Sequence, residues 1–86
     1  MYTLDYTKTE LDISRKGSTE LPDDLHLYTN LQKLFCFANN LTHLDNLPKN
    51  LKELHCHYNK ITQLDNLPQS LEYLNCGCNK ITQLDN

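Results

Sequence analysis

The sequence lacks the variety of hydrophobic residues that an ordinary small core uses. Valine and tryptophan are absent, and alanine occurs once, at Ala38. Hydrophobic residues make up 38% of the 86 positions, and leucine dominates them. The chain is long enough for one domain only, and a domain of this size buries little surface. The leucine bias therefore indicates that one packing arrangement is used repeatedly.

Basic clusters and long apolar runs are also missing. The formal net charge is -3 and the only adjacent basic pair is Arg15–Lys16, whereas a nucleic-acid-binding module normally carries a basic patch. No apolar run approaches the roughly 18 residues of a membrane span. The N-terminal residues MYTLDYTKTELD do not form a signal peptide. We expect no nucleic-acid partner, no membrane, and a cytoplasmic location where the four cysteines stay reduced.

What the sequence does contain is a 20-residue repeat. Its rows are LQKLFCFANNLTHLDNLPKN at 31–50, LKELHCHYNKITQLDNLPQS at 51–70 and LEYLNCGCNKITQLDN at 71–86. The segment NKITQLDN occurs identically at 59–66 and 79–86. Such self-similarity is typical of a protein built from stacked units, because one unit cannot bury its apolar face alone.

The spacing L-x-x-L-x-C-x-x-N-x-L resembles that of a leucine-rich repeat, closely over 31–86 and loosely over 8–30. The Leu-Pro tails and the short period resemble the repeats of bacterial type III effectors. The motif LDNLPxxLxxLxC more closely resembles the repeats in leucine-rich repeat proteins of giant DNA viruses of the mimivirus type. This resemblance implies that the protein is located in the host cytoplasm.

We interpret the chain as a single domain of successive coils. Residues 1–7 form an N-terminal cap or a frayed end, and 8–30 form a divergent repeat with about three inserted residues. Two repeats follow at 31–50 and 51–70, and a partial third repeat occupies 71–86.

The resemblance implies an α/β solenoid with parallel β-strands on its concave face, a mostly extended or irregular convex side and little helix. Alternation in Leu34-Phe35-Cys36 places the leucine and the cysteine inside and the phenylalanine outside. Equivalent strands are predicted at 11–13, 54–56 and 74–76. A short helical turn is expected around 22–28.

Two polar columns are predicted to have structural roles. Asparagine carries donors and an acceptor on one short side chain, so a ladder of Asn39, Asn59 and Asn79 should bond to the loop backbone. Aspartates Asp45, Asp65 and Asp85 are expected to cap turns.

A metal site is the weaker interpretation of the cysteines and histidines. Cys36, Cys56 and Cys76 lie in an inward column, where cysteine acts as a small hydrophobe, whereas Cys78 should be exposed. The usual zinc-ligand spacings are absent. No nucleophile elbow, phosphate loop or paired-carboxylate motif is present, so we predict no cofactor, no metal and no enzymatic activity.

The outward strand positions are the candidate binding site. Aromatic residues carry much of the energy of protein interfaces. We predict a protein–protein interaction module whose concave face binds an unknown partner through Lys33, Phe35, Phe37, Glu53, His55, His57, Tyr58 and Tyr73. The alternative is a structural fragment that stacks end to end through a C-terminal repeat without a cap.

Overall fold

A computed structural model of the chain describes residues 5–82. Four short strands form one parallel sheet in the order β1-β2-β3-β4, with bounds Glu10–Asp12, Lys33–Phe35, Glu53–His55 and Tyr73–Asn75. Within the described residues the only helix is a single 3-10 turn, Leu25–Leu27. This architecture confirms the expected solenoid of parallel strands with little helix. Predicted features on residues 1–4 and 83–86, among them Asp85, lie outside the described part.

Leucine occupies the centre of every strand. Leu11 is in register with Leu34, Leu34 with Leu54 and Leu54 with Leu74, and the first of these steps is three residues longer than the others. The longer step contains the 3-10 turn, whose Leu25 is completely buried. The insertion thus adds a core residue to the first coil.

The strands begin and end one residue earlier than the predicted ranges, so that β2 is Lys33–Phe35 and not 34–36. Pairing starts before the leucine because the Lys33 N–H already donates to the Thr9 carbonyl at 3.1 Å. Soon after the strand the chain turns, and it reaches a φ of 55° at Ala38. The face on which each side chain lies is unchanged by this shift.

The core runs between the sheet and the convex side, and its buried apolar residues are leucines, Ile61, Cys36, Cys56, Tyr28 and Pro48. Its fully buried members include Leu51, Leu54, Cys56 and Ile61, each at 0% exposure. One repeat later the equivalent residues are only half-buried, namely Leu71, Leu74, Cys76 and Ile81. The last coil lacks a neighbour on its outer side within the described residues.

Repeated turns close each coil on the convex side. The carbonyl of Pro48 accepts a hydrogen bond from the Leu51 N–H at 3.4 Å, and Pro68 and Leu71 repeat this at 3.2 Å. In the first coil, Tyr6 packs edge-on against the buried Tyr28, with ring centroids 4.9 Å apart. No helix in the part of the chain described here has the length and apolar character needed to cross a membrane.

Candidate functional site

The asparagine column joins neighbouring coils behind the strand ends. Asn59 is buried, and its Oδ1 accepts from the Leu41 N–H at 3.0 Å. Its Nδ2 donates to the carbonyls of Cys36 and Cys56, both at 3.0 Å. One side chain therefore bonds to its own coil and to the preceding one. Such bonds hold the concave face in shape, because buried backbone groups need partners.

Asn39 and Asn79 occupy equivalent places with different surroundings. The Oδ1 of Asn39 accepts from the N–H groups of Lys16 and Ser18 in the first coil, at 3.0 and 3.1 Å. Asn79 bonds to Ile61 N–H in the same way as Asn59 bonds to Leu41, but it is half-buried. The three asparagine side chains thus link each pair of neighbouring coils that the structure describes.

The prediction that aspartates cap the turns is wrong for Asp45 and Asp65. Asp45 and Asp65 accept no hydrogen bond from the turn backbone in the described residues, and the Asp45 Oδ2 instead lies 3.1 Å from Nε2 of His43. The residues that adopt the left-handed turn conformation are the asparagines that follow, Asn46 and Asn66, with φ of 59° and 58°. Asparagine tolerates this left-handed region better than most residues.

The first outward column of the sheet alternates in charge. Glu10, Lys33, Glu53 and Tyr73 are in register across the four strands. Lys33 Nζ lies 3.9 Å from Glu10 and 3.8 Å from Glu53. These pairs are solvent-exposed enough to contribute little stability, so their main effect is to set the charge pattern of the concave face.

Six ring side chains form a continuous group on the same face. We call this group the aromatic strip, and its members are Phe35, Phe37, His55, His57, Tyr58 and Tyr73. Phe35 stacks on His55 and Phe37 stacks on His57, both with centroids 4.7 Å apart and interplanar angles of 19° and 7°. These stacks arise because parallel register puts equivalent residues of adjacent strands side by side.

The tyrosines extend the strip towards solvent. The Tyr73 ring lies 5.1 Å from that of His55, and the Tyr58 ring lies 5.6 Å from that of His57. Tyr58 is 61% exposed and Tyr73 47% exposed, whereas the phenylalanines and histidines are half-buried by their own stacking. The backbone of Tyr58 lies in the left-handed region, with φ of 55°.

His57 is the histidine whose ionisation the fold disfavours. Burial lowers its pKa first, and the neighbouring His55 and the Arg15 guanidinium lower it further. Its Nδ1 is buried and has no hydrogen-bond partner among the described residues. The ring is therefore neutral at neutral pH, which suits its place against Phe37.

The first coil adds residues to this face that sequence reasoning missed. The Arg15 guanidinium carbon lies 5.2 Å from the Phe37 ring centroid, in a cation–π contact. Glu10 and Asp12 stand beside Lys33 and Phe35 in the sheet. The alignment of Leu11 with Leu34, extended by one residue on each side, would have placed Glu10 and Asp12 on the outward face. The position of Arg15 depends on the irregular turn after β1, where φ is 57° at Arg15 itself.

The cysteines follow the predicted burial. Cys36 and Cys56 are buried free thiols, Cys76 is half-buried and Cys78 is exposed. Burial raises the pKa of Cys56 to about 12 and also raises that of Cys36. Across residues 5–82, no group of three or more histidine, cysteine or acidic side chains is arranged to hold a metal ion.

Comparison with known proteins agrees with this geometry. Residues 49–86 match the family model described as Leucine Rich repeats (2 copies). No curated protein and no solved structure matches the chain. The match and the four parallel strands establish the fold as a leucine-rich repeat solenoid. Domains of this kind generally mediate protein–protein interaction and are typically non-enzymatic.

Proposed function

We propose that the concave face of this leucine-rich repeat solenoid binds a protein partner through the aromatic strip, with Lys33 and Glu53 at its side. The observation that carries the proposal is the stacked set of rings on the side of the sheet opposite the leucine core. The core is complete without these rings, and exposed aromatic groups supply much of the free energy of protein interfaces.

The stacking makes the strip suitable for binding. Rings held by their neighbours lose little conformational freedom when a partner docks, which lowers the entropic cost of association. The two most exposed rings, Tyr58 and Tyr73, would make the widest contact. The charged residues Lys33 and Glu53, in the column beside the strip, add polar contacts at the edge of the proposed interface. Charged contacts of this kind contribute to the specificity of binding.

The test is partner capture with a double variant. Immobilised wild-type protein and Phe35→Ala/Tyr58→Ala protein are incubated with the same native-cell extract, and circular dichroism confirms that both are folded. Leu27→Ala is the matched control, since Leu27 is 47% exposed but does not lie on the strands. Loss of a captured protein in the double variant alone supports the proposal. Equal capture by all three proteins contradicts it.

Self-stacking is the second candidate, and the half-buried last coil favours it. Leu71, Leu74 and Cys76 would become fully buried, like Leu51, Leu54 and Cys56, if another coil lay against them. Light scattering over a range of protein concentrations tests this candidate. A mass that grows with concentration supports stacking, and a constant monomer mass rejects it.

The resemblance of LDNLPxxLxxLxC to giant-virus repeat proteins leads us to propose a viral origin and a location in the host cytoplasm. Expression of a tagged copy in a eukaryotic cell, followed by fractionation, tests the location. Recovery in the soluble cytoplasmic fraction is expected, and recovery in secreted material would contradict it.

A further inference from the structure

A cavity of about 500 Å³ opens on the concave face beside β1. It is lined by Lys8, Glu10, Leu11, Asp12, Phe35 and Phe37. Aromatic faces attract cations through their quadrupoles, and carboxylates attract them by charge. Both kinds of group are present in one cavity.

The two phenylalanines that line the cavity are held in place before any partner arrives. Phe35 stacks against His55 and Phe37 against His57, so each phenylalanine has one ring face covered by a histidine ring. Arg15 already places a guanidinium 5.2 Å from the Phe37 centroid. This internal contact is an example, within the chain, of a guanidinium placed over one of the two phenylalanines. No cation is placed over Phe35 in the described residues.

The Asp12 carboxylate is oriented and free to accept. Its Oδ1 receives hydrogen bonds from the Ser14 N–H at 2.9 Å and the Ser14 hydroxyl at 2.5 Å. These bonds lower the pKa of Asp12, so the group is ionised at neutral pH. Its Oδ2 has no partner in the part of the chain that the structure describes. Glu10 shares Lys33 with Glu53, so these three side chains carry a net charge of -1. The nearby cations are Lys8, which lines the cavity, and Arg15 and Lys16, whose charges also lower the pKa of Asp12.

We propose that this cavity receives an arginine side chain of the protein partner, with the guanidinium over Phe35 and its N–H groups donating to Asp12. The inference rests on the proposed function, because it names the chemistry by which the concave face recognises its partner. Arginine fits better than lysine, since the planar guanidinium can stack on a ring while N–H groups at its edge donate to the Asp12 Oδ2. The net charge of -3 favours the approach of a basic segment.

The probe is N-acetyl-arginine amide, titrated into isotope-labelled protein and followed by amide and ring NMR shifts. N-acetyl-citrulline amide is the matched probe, because it keeps the shape and removes the charge. Saturable shifts at Leu11, Asp12 and Phe35 with the arginine probe alone are expected. Equal shifts with both probes, or none with either, would overturn the inference.

Two variants locate the binding. Asp12→Asn keeps an acceptor for Ser14 and removes the charge, so we expect the dissociation constant for the arginine probe to rise by about fivefold or more. Asp5→Asn is the control, because Asp5 accepts from Thr7 in the same local motif but does not line the cavity. Equal weakening by both variants, or by neither, would contradict the inference.

The outcomes separate the two proposals. If partner capture depends on Phe35 and Tyr58 but the arginine probe fails to bind, the concave interface stands and the arginine assignment falls. If the probe binds the cavity but capture is unaffected by the double variant, the cavity recognises arginine and the proposed interface fails.

Discussion

Replacing Asn59 by alanine tests how much the asparagine column contributes to the fold. The substitution removes the only partner of the Leu41 N–H among the described residues. It also removes a donor from three carbonyls. Cys36 keeps a bond from Asn39 at 3.1 Å and Cys56 keeps one from Asn79 at 3.0 Å, while His57, whose bond from Asn59 is the longest at 3.4 Å, keeps one from the Ala38 N–H at 3.0 Å. One buried N–H is therefore stranded, and the three carbonyls each keep another donor.

The expected loss follows from the stranded N–H and the lost carbonyl bonds. A stranded buried N–H costs about 1–3 kcal/mol, and each lost bond that leaves its acceptor satisfied costs about 0.5–1 kcal/mol. Counting the two carbonyl bonds at 3.0 Å, we expect a total of about 2–5 kcal/mol in the free energy of unfolding. A domain of this length has roughly 4–13 kcal/mol altogether, so the variant should be severely destabilised. Asn79→Ala should lose about half as much, because water reaches that half-buried side chain.

Urea unfolding followed by circular dichroism measures the effect. With a slope of about 1 kcal/mol per molar urea, Asn59→Ala should move the midpoint down by roughly 2–5 M or leave the chain unfolded in buffer. Asn40→Ala is the control, because Asn40 is exposed and its side chain makes no hydrogen bond in the described residues. Equal midpoints for Asn59→Ala and Asn40→Ala would refute the role assigned to the column.

Three further predictions concern the core, the strip and the thiols. Leu54→Ala should cost about 2–5 kcal/mol in urea unfolding, and Leu74→Ala clearly less because that residue is only half-buried; equal losses would contradict the graded core. The pKa of His57 is lower in the folded chain than the ordinary 6.5, so stability should fall as pH drops through and below 6.5, and His57→Gln should flatten that dependence of the urea midpoint. A thiol reagent should modify Cys78 in the native protein at once and Cys56 only on unfolding, and early modification of Cys56 would argue against its burial.

The stacked coils could be predicted because the repeat carries its own alignment. Once Leu34, Leu54 and Leu74 are placed in one column, the inward and outward faces follow from the two-residue period of a strand. The exact strand ends could not be obtained in this way. Alternation identifies the central leucine, but hydrogen bonds such as Lys33 N–H to Thr9 decide where pairing begins.

The binding face could be predicted only in part, for a different reason. Register places Phe35 beside His55, but it does not predict that the rings stack or that stacking half-buries them. The contribution of the first coil was missed because its longer step obscures the repeat. Arg15 reaches Phe37 from a turn in the left-handed region, and no periodic pattern predicts a contact of that kind.

The orientation of the sheet is the claim on which the proposed interface depends, and solvent accessibility measured by NMR tests it most directly. With a soluble gadolinium chelate in the sample, the ring protons of Tyr58 and Tyr73 should broaden strongly while the methyl groups of Leu34 and Leu54 stay sharp. Strong broadening of those leucine methyls, with protected tyrosine rings, would mean that the two faces of the sheet are exchanged and that the concave aromatic strip does not exist.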